Sequence, residues 1–198
     1  KVDYFGMQTY NEFVNGVETL KAKGMKHLIV DMRSNGGGVM NIALRMVNDF
    51  LPADRLILYT QGKSVPRSDY KSNGKGIYQE LPLTVLIDEE SASAAEIFAG
   101  ALQDNDRARI IGRRSFGKGL VQEQRVMPDG SAIRLTIARY YIPSGRSIQK
   151  PYKLGEDGKK DYYMELINRL EHGEFYQADS IKFDESQKYQ TYGGRTVY

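Results

Sequence analysis

Two segments of the sequence combine residue types that could carry covalent chemistry. In the first, from Asp88 to Glu96, Ser93 lies where a buried strand is predicted to turn into a helix. Such a turn lies at the carboxyl end of a sheet, where α/β folds bind ligands, and backbone N–H groups at the helix start can stabilise an oxyanion. Ser93 is therefore a candidate nucleophile. The same Ser93-x-x-Glu96 pattern also fits a capping box that only begins a helix.

The second segment, Gly112 to Gly119, contains a glycine-flanked lysine, Lys118. It matches G-x-x-x-x-G-K, but a phosphate-binding loop needs Ser or Thr after the lysine and a helix to follow. Here Gly119 and a predicted strand follow, so nucleotide binding is disfavoured. Lys118 is then either a surface lysine in a glycine turn or a general base. The second role requires desolvation, because burial favours the neutral amine that can take a proton from a serine hydroxyl.

A third segment, the loop from Arg33 to Gly38, has three consecutive glycines between a predicted strand and a helix. Such a loop either presents free backbone N–H groups or serves only as a flexible connection. It lacks the G-x-G-x-x-G spacing of dinucleotide binding. Neither histidine suits a Ser-His-Asp arrangement, since His27 opens a predicted strand and His172 lies near the end of a predicted helix. This directs attention to lysine as the base.

The composition narrows the possible functions. The chain has 198 residues, of which 40% are hydrophobic and 27% charged, as in a soluble globular protein with one domain and a small appendage. The absence of cysteine excludes disulfides, thiolate nucleophiles and cysteine-ligated metals. A net charge of +3 without a Lys/Arg run gives no support for nucleic-acid binding. No apolar run approaches the ~18 residues of a membrane span.

The elements that must position these residues follow from hydrophobic spacing. Helices are predicted over 9–24, where Thr9 and Glu12 form a capping box, over 39–51 and over 92–102. Short apolar strands are predicted at 27–32, 56–60, 83–88 and 109–112, with a polar loop over 61–81. Strands alternating with helices indicate a mostly parallel sheet in a layered α/β fold.

The pattern changes after residue 120. Strands over 121–127 and 132–141 flank a Pro-Asp-Gly-Ser turn, which predicts a β-hairpin. Apolar residues alternate with polar ones along its second strand, so one face is expected to be buried; they are Ile133, Leu135 and Ile137. Beyond Pro143 the chain is polar, with one helix predicted over 161–171. The last 25 or so residues have weak periodicity and are expected to be poorly ordered when cut from the parent protein.

Four stretches of the sequence, taken in order, carry a family resemblance. They are LIVDMRSNGGG (28–38), SASAAEIFAGALQD (91–104), GRRSFGKGLVQ (112–122) and YIPSGRSIQ (141–149). Over residues 1–150 the chain resembles the C-terminal processing peptidases, or tail-specific proteases, of the S41 serine peptidase family. The resemblance implies a crotonase-like layered α/β protease core (ClpP/crotonase type) with an added β-hairpin and a polar C-terminal region.

The resemblance also implies roles for individual residues. Ser93, three residues before the glutamate, corresponds to the nucleophile, Lys118 of F-G-K-G to the base, and Gln122 to a residue that orients the lysine. The backbone N–H groups of Ala94 and Gly37 correspond to the oxyanion hole.

Three further positions complete this correspondence. Glu96 corresponds to a supporting residue. Ala95 stands where many relatives carry serine, and Gly36 where many carry proline, but neither change removes a catalytic group.

The implied activity is hydrolysis of peptide bonds near protein C-termini through an acyl-enzyme. It needs no cofactor or metal, and its partners are proteins or peptides with exposed C-termini. Residues 1–150 are expected to be the catalytic core, truncated at its N-terminus, and 151–198 a partly ordered extension; the upstream PDZ domain of the family is expected to be absent from this stretch. The family also suggests a periplasmic or otherwise extracytoplasmic location, and the sequence specifies no oligomeric state.

Two other functions fit the same pattern. A crotonase-like enzyme that binds acyl-CoA would also use a glycine loop and a helix N-terminus to stabilise an enolate, but it would leave Ser93, Lys118 and Gln122 without a task. Alternatively, the chain is a relative that binds peptides and has lost catalysis. Labelling of Ser93 by a fluorophosphonate probe excludes this alternative, and detectable CoA binding favours the crotonase-like one.

Overall fold

The computed structural model of the chain describes residues 1–152, 156–177, 180–181 and 183–198. Its helices are α1 (Thr9–Ala22), α2 (Met40–Asn48), α3 (Ala94–Asp104) and α4 (Glu156–Glu171). Its strands are β1 (Leu28–Asp31), β2 (Leu56–Gln61), β3 (Ser68–Lys71), β4 (Leu83–Ile87), β5 (Arg109–Gly112), β6 (Leu120–Val126), β7 (Ala132–Tyr141), β8 (Tyr189–Gln190) and β9 (Thr196–Val197). Among the helices of these described ranges, none has the length and apolar character needed to cross a bilayer.

A three-stranded parallel sheet, in the order β1-β4-β5, organises the first half of the chain. Val30 of β1 lies beside Val85 of β4, which in turn lies beside Ile110 of β5. These residues point into the main apolar core or pack against it. The carboxyl ends of β1 and β4 therefore lie side by side, and the two loops that leave them meet at one edge.

A second, antiparallel sheet has the order β3-β2-β7-β6. The expectation of one mostly parallel sheet was thus wrong for β2, which pairs antiparallel with β7, Tyr59 opposite Tyr141. The polar stretch 61–81, expected to be a loop, contains β3, which pairs with β2. The strand–helix alternation did not reveal this, because it does not specify which sheet a strand joins. The layered α/β architecture itself was predicted correctly.

Helix α3 lies between the two sheets and contacts both β2 and β5. It is buried on nearly all sides, as expected for a helix that is apolar all round. Its Phe98 ring packs against Phe5 and Phe50, with both ring centroids at 6.3 Å. Each fully buried aromatic side chain stabilises the fold by about 1.5–3 kcal/mol. The N-terminus of α3, where Ser93 lies, is thereby fixed by the core.

The β6–β7 hairpin extends beyond this core. Ile133 and Leu135 are 47% and 51% exposed, and their cross-strand partners are Arg125 and Glu123. The expected buried face was therefore wrong for the outer half of the hairpin. Burial is reached only near its base, at Ala138, because no other described element packs against the outer half.

Two helix starts also differ from the sequence prediction. Thr9 lies inside α1, preceded by Gln8 as the N-cap, and its hydroxyl accepts from the Gly6 N–H and donates to the Tyr4 carbonyl. The predicted capping box of α1 was therefore wrong. Helix α4 begins at Glu156, five residues before the predicted start at Asp161. Within the extension at 151–198, which is predicted to be partly ordered, residues 153–155, 178–179 and 182 lie outside the described residues.

Candidate active site

A buried carboxylate joins the glycine loop to the turn that carries Ser93. The Asp88 carboxylate, directly after β4, accepts from the Ser34 backbone N–H at 2.9 Å. It also accepts from the N–H groups of Glu90 and Ser91, each at 3.1 Å. These bonds place the loops after β1 and β4 against each other.

The two serines of the S-A-S stretch have different surroundings. Ser91 is fully buried, and its hydroxyl donates to the Met32 carbonyl at 2.8 Å and accepts from the Asp88 N–H at 3.0 Å. Ser93 is half-buried and is the N-cap of α3. A substrate can therefore reach Ser93 but not Ser91.

The backbone of Ser93 is strained. Its φ of 56° and ψ of −113° lie outside the common regions for an L-residue. Such conformations cost about 1–3 kcal/mol and persist only where the surroundings hold them. Here the Ser93 N–H donates to the Glu96 carboxylate at 2.8 Å, and the neighbouring Ala92 N–H donates to the Asn35 carbonyl at 2.9 Å.

The two expected oxyanion donors lie next to each other. Gly37 has a φ of 104°, and a Cβ placed on it would stand 2.8 Å from Ser93 Cβ and 3.0 Å from the Ala94 nitrogen. Only glycine can bring the loop so close to the serine. The Gly37 N–H donates to Asn35 Oδ1 at 2.8 Å, so it must leave this partner before it can bind an oxyanion.

Asn35 is a site residue that the sequence analysis missed. It is fully buried, its Nδ2 donates to the Val2 carbonyl at 2.8 Å, and its Oδ1 accepts from Gly37. It fixes the glycine loop against both the N-terminal segment and the Ser93 turn. The only signal in the sequence is an amide side chain between a buried strand and three glycines, a pattern too common to single it out.

Glu96, expected to be a supporting residue, links the Ser93 turn to the Lys118 loop. Its Oε2 accepts from the backbone N–H groups of Ser93 and Lys118, both at 2.8 Å. Its Oε1 accepts from the Gly117 N–H at 2.6 Å and the Ser115 hydroxyl at 2.7 Å. Burial raises the pKa of the Glu96 carboxyl, against the lowering effect of these four hydrogen bonds.

The loop that carries Lys118 is also held by other backbone contacts. The Phe116 N–H donates to the Ser91 carbonyl at 3.0 Å, and the Gly119 N–H donates to Gln149 Oε1 at 3.0 Å. The backbone at Lys118 therefore lies beside the Ser93 turn.

The Lys118 side chain, in contrast, is exposed, and among the described residues its ammonium has no hydrogen-bond or ion-pair partner. The desolvation that a lysine base requires is not present in the free chain.

Gln122 is not paired with Lys118. Its Nε2 donates across the hairpin to Thr136 Oγ1 at 3.3 Å, and the pairing of β6 with β7 is irregular between Val121 and Gln122. The structure thus brings together Ser93, the two expected oxyanion donors, Glu96 and the Lys118 backbone. The orienting role of Gln122 stays a prediction.

The histidines have partners away from Ser93. A ring nitrogen of His27 lies 3.1 Å from Thr84 Oγ1, and one of His172 lies 2.6 Å from the Asn168 carbonyl oxygen. Within the described part of the chain, no group of three or more His, Asp or Glu residues is placed to hold a metal ion.

Comparison with known proteins gives consistent matches. Residues 1–157 match the family model described as peptidase family S41. The chain is 35% identical over 150 residues to the carboxyl-terminal-processing protease of Synechocystis, covering 76% of this chain and 35% of that protein. It is 33% identical over 157 residues to the carboxy-terminal processing protease CtpA of Bacillus subtilis, covering 76% and 32%.

A solved structure supports the same relationship. The photosystem II D1 C-terminal processing protease superimposes with a TM-score of 0.70 at 33% identity, covering 74% of this chain and 38% of that one. The chain thus spans about a third of the length of the curated relatives it matches.

Proposed function

The chain belongs to peptidase family S41, and on this premise we propose that it supplies the catalytic residues of a serine endopeptidase. The proposed enzyme cleaves peptide bonds near protein C-termini, with Ser93 as nucleophile and Lys118 as general base. One observation carries the proposal: a single oxygen of Glu96 accepts from both the Ser93 and the Lys118 N–H at 2.8 Å. The two backbone nitrogens are therefore no further apart than twice that distance.

In the proposed reaction, neutral Lys118 takes the proton from Ser93 Oγ as that oxygen attacks the scissile carbonyl carbon. The N–H groups of Ala94 and Gly37 donate to the resulting oxyanion. Lys118 then gives its proton to the leaving amine, and an acyl-enzyme ester forms. Water, deprotonated by Lys118, hydrolyses the ester and restores the Ser93 hydroxyl.

The exposure of Lys118 requires a further step in this scheme. We propose that a peptide bound over Ser93 covers the lysine and excludes water from it, as closure of a site does in other enzymes. Gln122, on the adjacent strand, would then exchange Thr136 for the lysine amine and orient it.

The substrates are proteins or peptides with exposed C-termini, and the proposed mechanism uses no cofactor. This part of the proposal rests on the relatives being C-terminal processing proteases, and this chain spans about a third of their length. A location outside the cytoplasm also stays a prediction.

The test is labelling with a fluorophosphonate probe, combined with cleavage of a peptide library by the same protein. We expect labelling at Ser93 in the wild type, loss of labelling and cleavage in Ser93→Ala, and retention of both in Ser91→Ala. Because members of one catalytic unit act non-additively, Ser93→Ala with Lys118→Ala should be no worse than either change alone. Turnover by Ser93→Ala would overturn the assignment.

One alternative is favoured by a specific observation. The exposed Lys118 and the Gln122–Thr136 pair fit a relative that binds peptides without cleaving them. In that case the probe leaves Ser93 unlabelled while a peptide with a free C-terminus still binds.

A further inference from the structure

The loop that carries Lys118 is held from a second side, by residues beyond the end of the family match at 157. Residues 113–119 contain no regular helix or strand, so their backbone groups depend on partners elsewhere. Glu96 supplies partners from α3. The second set of partners comes from α4 and the turn that follows it.

Arg169 of α4 is the most buried of these partners, with 5% of its surface exposed. Its Nη2 donates to the Arg114 carbonyl at 2.7 Å, and its Nε donates to Glu174 at 2.9 Å. A guanidinium is planar and permanently charged, so it can hold a carbonyl and a carboxylate in one fixed geometry. A buried arginine used in this way fixes the loop backbone and not merely a side chain.

The same carboxylate also binds the loop from outside. Arg114 donates to both oxygens of Glu174, at 3.1 and 2.8 Å, in the bidentate form that is among the stronger charged hydrogen bonds. Burial tends to raise the pKa of Glu174, but its bonds to Arg114 and Arg169 outweigh this and leave the pKa lowered. Glu174 therefore joins the side chain of Arg114 to the arginine that holds its carbonyl.

An aromatic and cationic contact extends this attachment to Phe116. The Phe116 ring meets Tyr162 of α4 edge-on, with centroids 6.1 Å apart. Lys150 lies 4.3 Å from the centroid of Phe116 and forms an ion pair with Glu165 of α4 at 3.1 Å. The loop is thus attached to α4 at Arg114 and at Phe116, and to α3 at Ser115, Gly117 and Lys118.

We propose that Arg169 is a positioning residue for the general base, acting through the Arg114 backbone to fix the Lys118 loop against the Ser93 turn. The inference rests on the proposed role of Lys118. Glu96, Ser91 and Gln149 hold the part of the loop from Phe116 to Gly119, whereas Arg169 holds the Arg114 carbonyl. Without Arg169, the segment between Gly112 and Gly117, both at positive φ, can move about the remaining anchors. With the Arg169 anchor as well, the loop has one orientation. The segment beyond the family match is then part of the catalytic apparatus and not an appendage.

The experiment compares Arg169→Met, Arg169→Lys and the wild type in the full chain. The matched control is Arg67→Met, which removes an exposed arginine paired with Asp69 on β3. Two quantities are measured in each protein: hydrogen exchange of the amides of residues 113–119, and the concentration dependence of fluorophosphonate labelling at Ser93. The second separates the maximal labelling rate from the half-saturating concentration.

We expect faster exchange of the loop amides in Arg169→Met and a maximal labelling rate lower by up to about 10²-fold, since a misplacement of about 1 Å costs that much. The half-saturating concentration should stay within about twofold, since Arg169 does not touch the probe. Arg169→Lys should recover part of the rate, because it restores one donor to the Arg114 carbonyl. Arg67→Met should match the wild type in both measurements.

Unchanged loop exchange in Arg169→Met, or faster exchange with an unchanged labelling rate, would overturn the inference. If the wild type itself is not labelled, the proposed function fails. Hydrogen exchange of the loop amides still decides whether Arg169 holds the loop. If circular dichroism shows Arg169→Met to be unfolded, Glu174→Gln, which leaves Arg169 in place and removes one charge, is judged by the same two measurements.

Discussion

The proposed nucleophile and the proposed base are held in different ways. Ser93 lies between a buried strand and a buried helix, and the groups around it, Asp88, Ser91 and Asn35, are themselves buried and hydrogen-bonded. Lys118 lies on an irregular loop beside an exposed hairpin. Its backbone is fixed by Glu96, and the loop around it by a few further tethers.

This difference indicates that the Ser93 turn is the rigid part of the site and the Lys118 loop the adjustable part. The Ser93 conformation is strained, so it requires the dense surroundings of the core. In the proposed reaction Lys118 loses water only when substrate is present, and a loop outside the core permits this. Substitutions on the nucleophile side should therefore act on stability as well as activity, while those on the base side should act mainly on activity.

The largest effect is expected from Lys118→Arg. A guanidinium cannot give up its proton under these conditions, so removal of the base should lower kcat/KM by about 10²–10⁴-fold. Peptide cleavage measures the effect on activity, and thermal unfolding measures the effect on stability. The unfolding temperature should not change, because the Lys118 side chain is exposed. Lys23→Arg, at an exposed position on α1's C-terminus, is the control. An active Lys118→Arg enzyme would show that the base lies elsewhere.

Glu96→Gln should have the next largest effect, a loss of about 10²-fold in labelling rate from misplacement of the base loop. The glutamine amide is the same size as the carboxylate, but both oxygens of Glu96 accept hydrogen bonds from N–H or O–H groups. Whichever oxygen is replaced, the new NH₂ group therefore faces donors and loses their hydrogen bonds. Glu90→Gln, at an exposed position, is the matched control. Labelling at the wild-type rate in Glu96→Gln would mean that the link between Ser93 and Lys118 is not needed.

Acidification of the wild-type protein should also lower the rate at which Ser93 is labelled. Burial raises the pKa of Glu96 in the folded chain, so its carboxylate is protonated at a higher pH than an ordinary glutamate. A protonated carboxyl cannot accept all four hydrogen bonds, and the labelling rate should fall as the pH drops through the raised pKa.

The stability contribution of Glu96 has the opposite sign. Between the ordinary and the raised pKa the folded chain keeps a proton that the unfolded chain has lost. This contribution therefore decreases as the pH rises through that interval. Labelling and thermal unfolding, followed together from acid to neutral pH in wild type and Glu96→Gln, check both signs. If the labelling rate of Glu96→Gln fell at acid pH by the same factor as that of the wild type, the fall would belong to a group other than Glu96.

Ser91→Ala should lower the free energy of unfolding by about 1–3 kcal/mol, the usual cost of leaving buried hydrogen-bond partners unsatisfied. The affected partners are the Met32 carbonyl and the Asp88 N–H. Labelling of Ser93 should persist below the unfolding temperature. Denaturant unfolding measures this change in the free energy of unfolding, with Ser64→Ala at an exposed position as the reference. Complete loss of labelling in a folded Ser91→Ala protein would contradict the choice of Ser93.

The smallest effect is expected on the hairpin. Leu135→Thr removes an apolar side chain that is 51% exposed, so the free energy of unfolding should change by about 0.5 kcal/mol or less. Leu102→Ala, at a fully buried position of α3, should cost about 2–5 kcal/mol. Denaturant unfolding of the pair checks this contrast. A large cost for Leu135→Thr would show that the outer hairpin is packed in solution.

The sequence predicted helices and strands correctly where an apolar segment is also buried in the core. The apolar runs at 28–31, 83–87 and 109–112 form strands, and the alanine-rich segment after Ser93 forms α3. It failed where the outcome depends on distant partners. The spacing of Ile133 and Leu135 indicates a buried face, but exposure depends on whether another element covers that face, which no local pattern encodes.

The sequence by itself determined the family, the strand–turn–helix position of Ser93 and the glycine loops, because these depend on local conformation and on short motifs. The family motif also selected Ser93 over Ser91, and the tertiary structure added the physical difference, since burial of the Ser91 hydroxyl depends on what packs over it. The tertiary structure alone showed that Asn35 holds the glycine loop and that Glu96 joins Ser93 to Lys118. Hydrogen bonds between segments far apart in sequence form only where the fold brings donor and acceptor within about 3 Å, and spacing along the chain does not specify that distance.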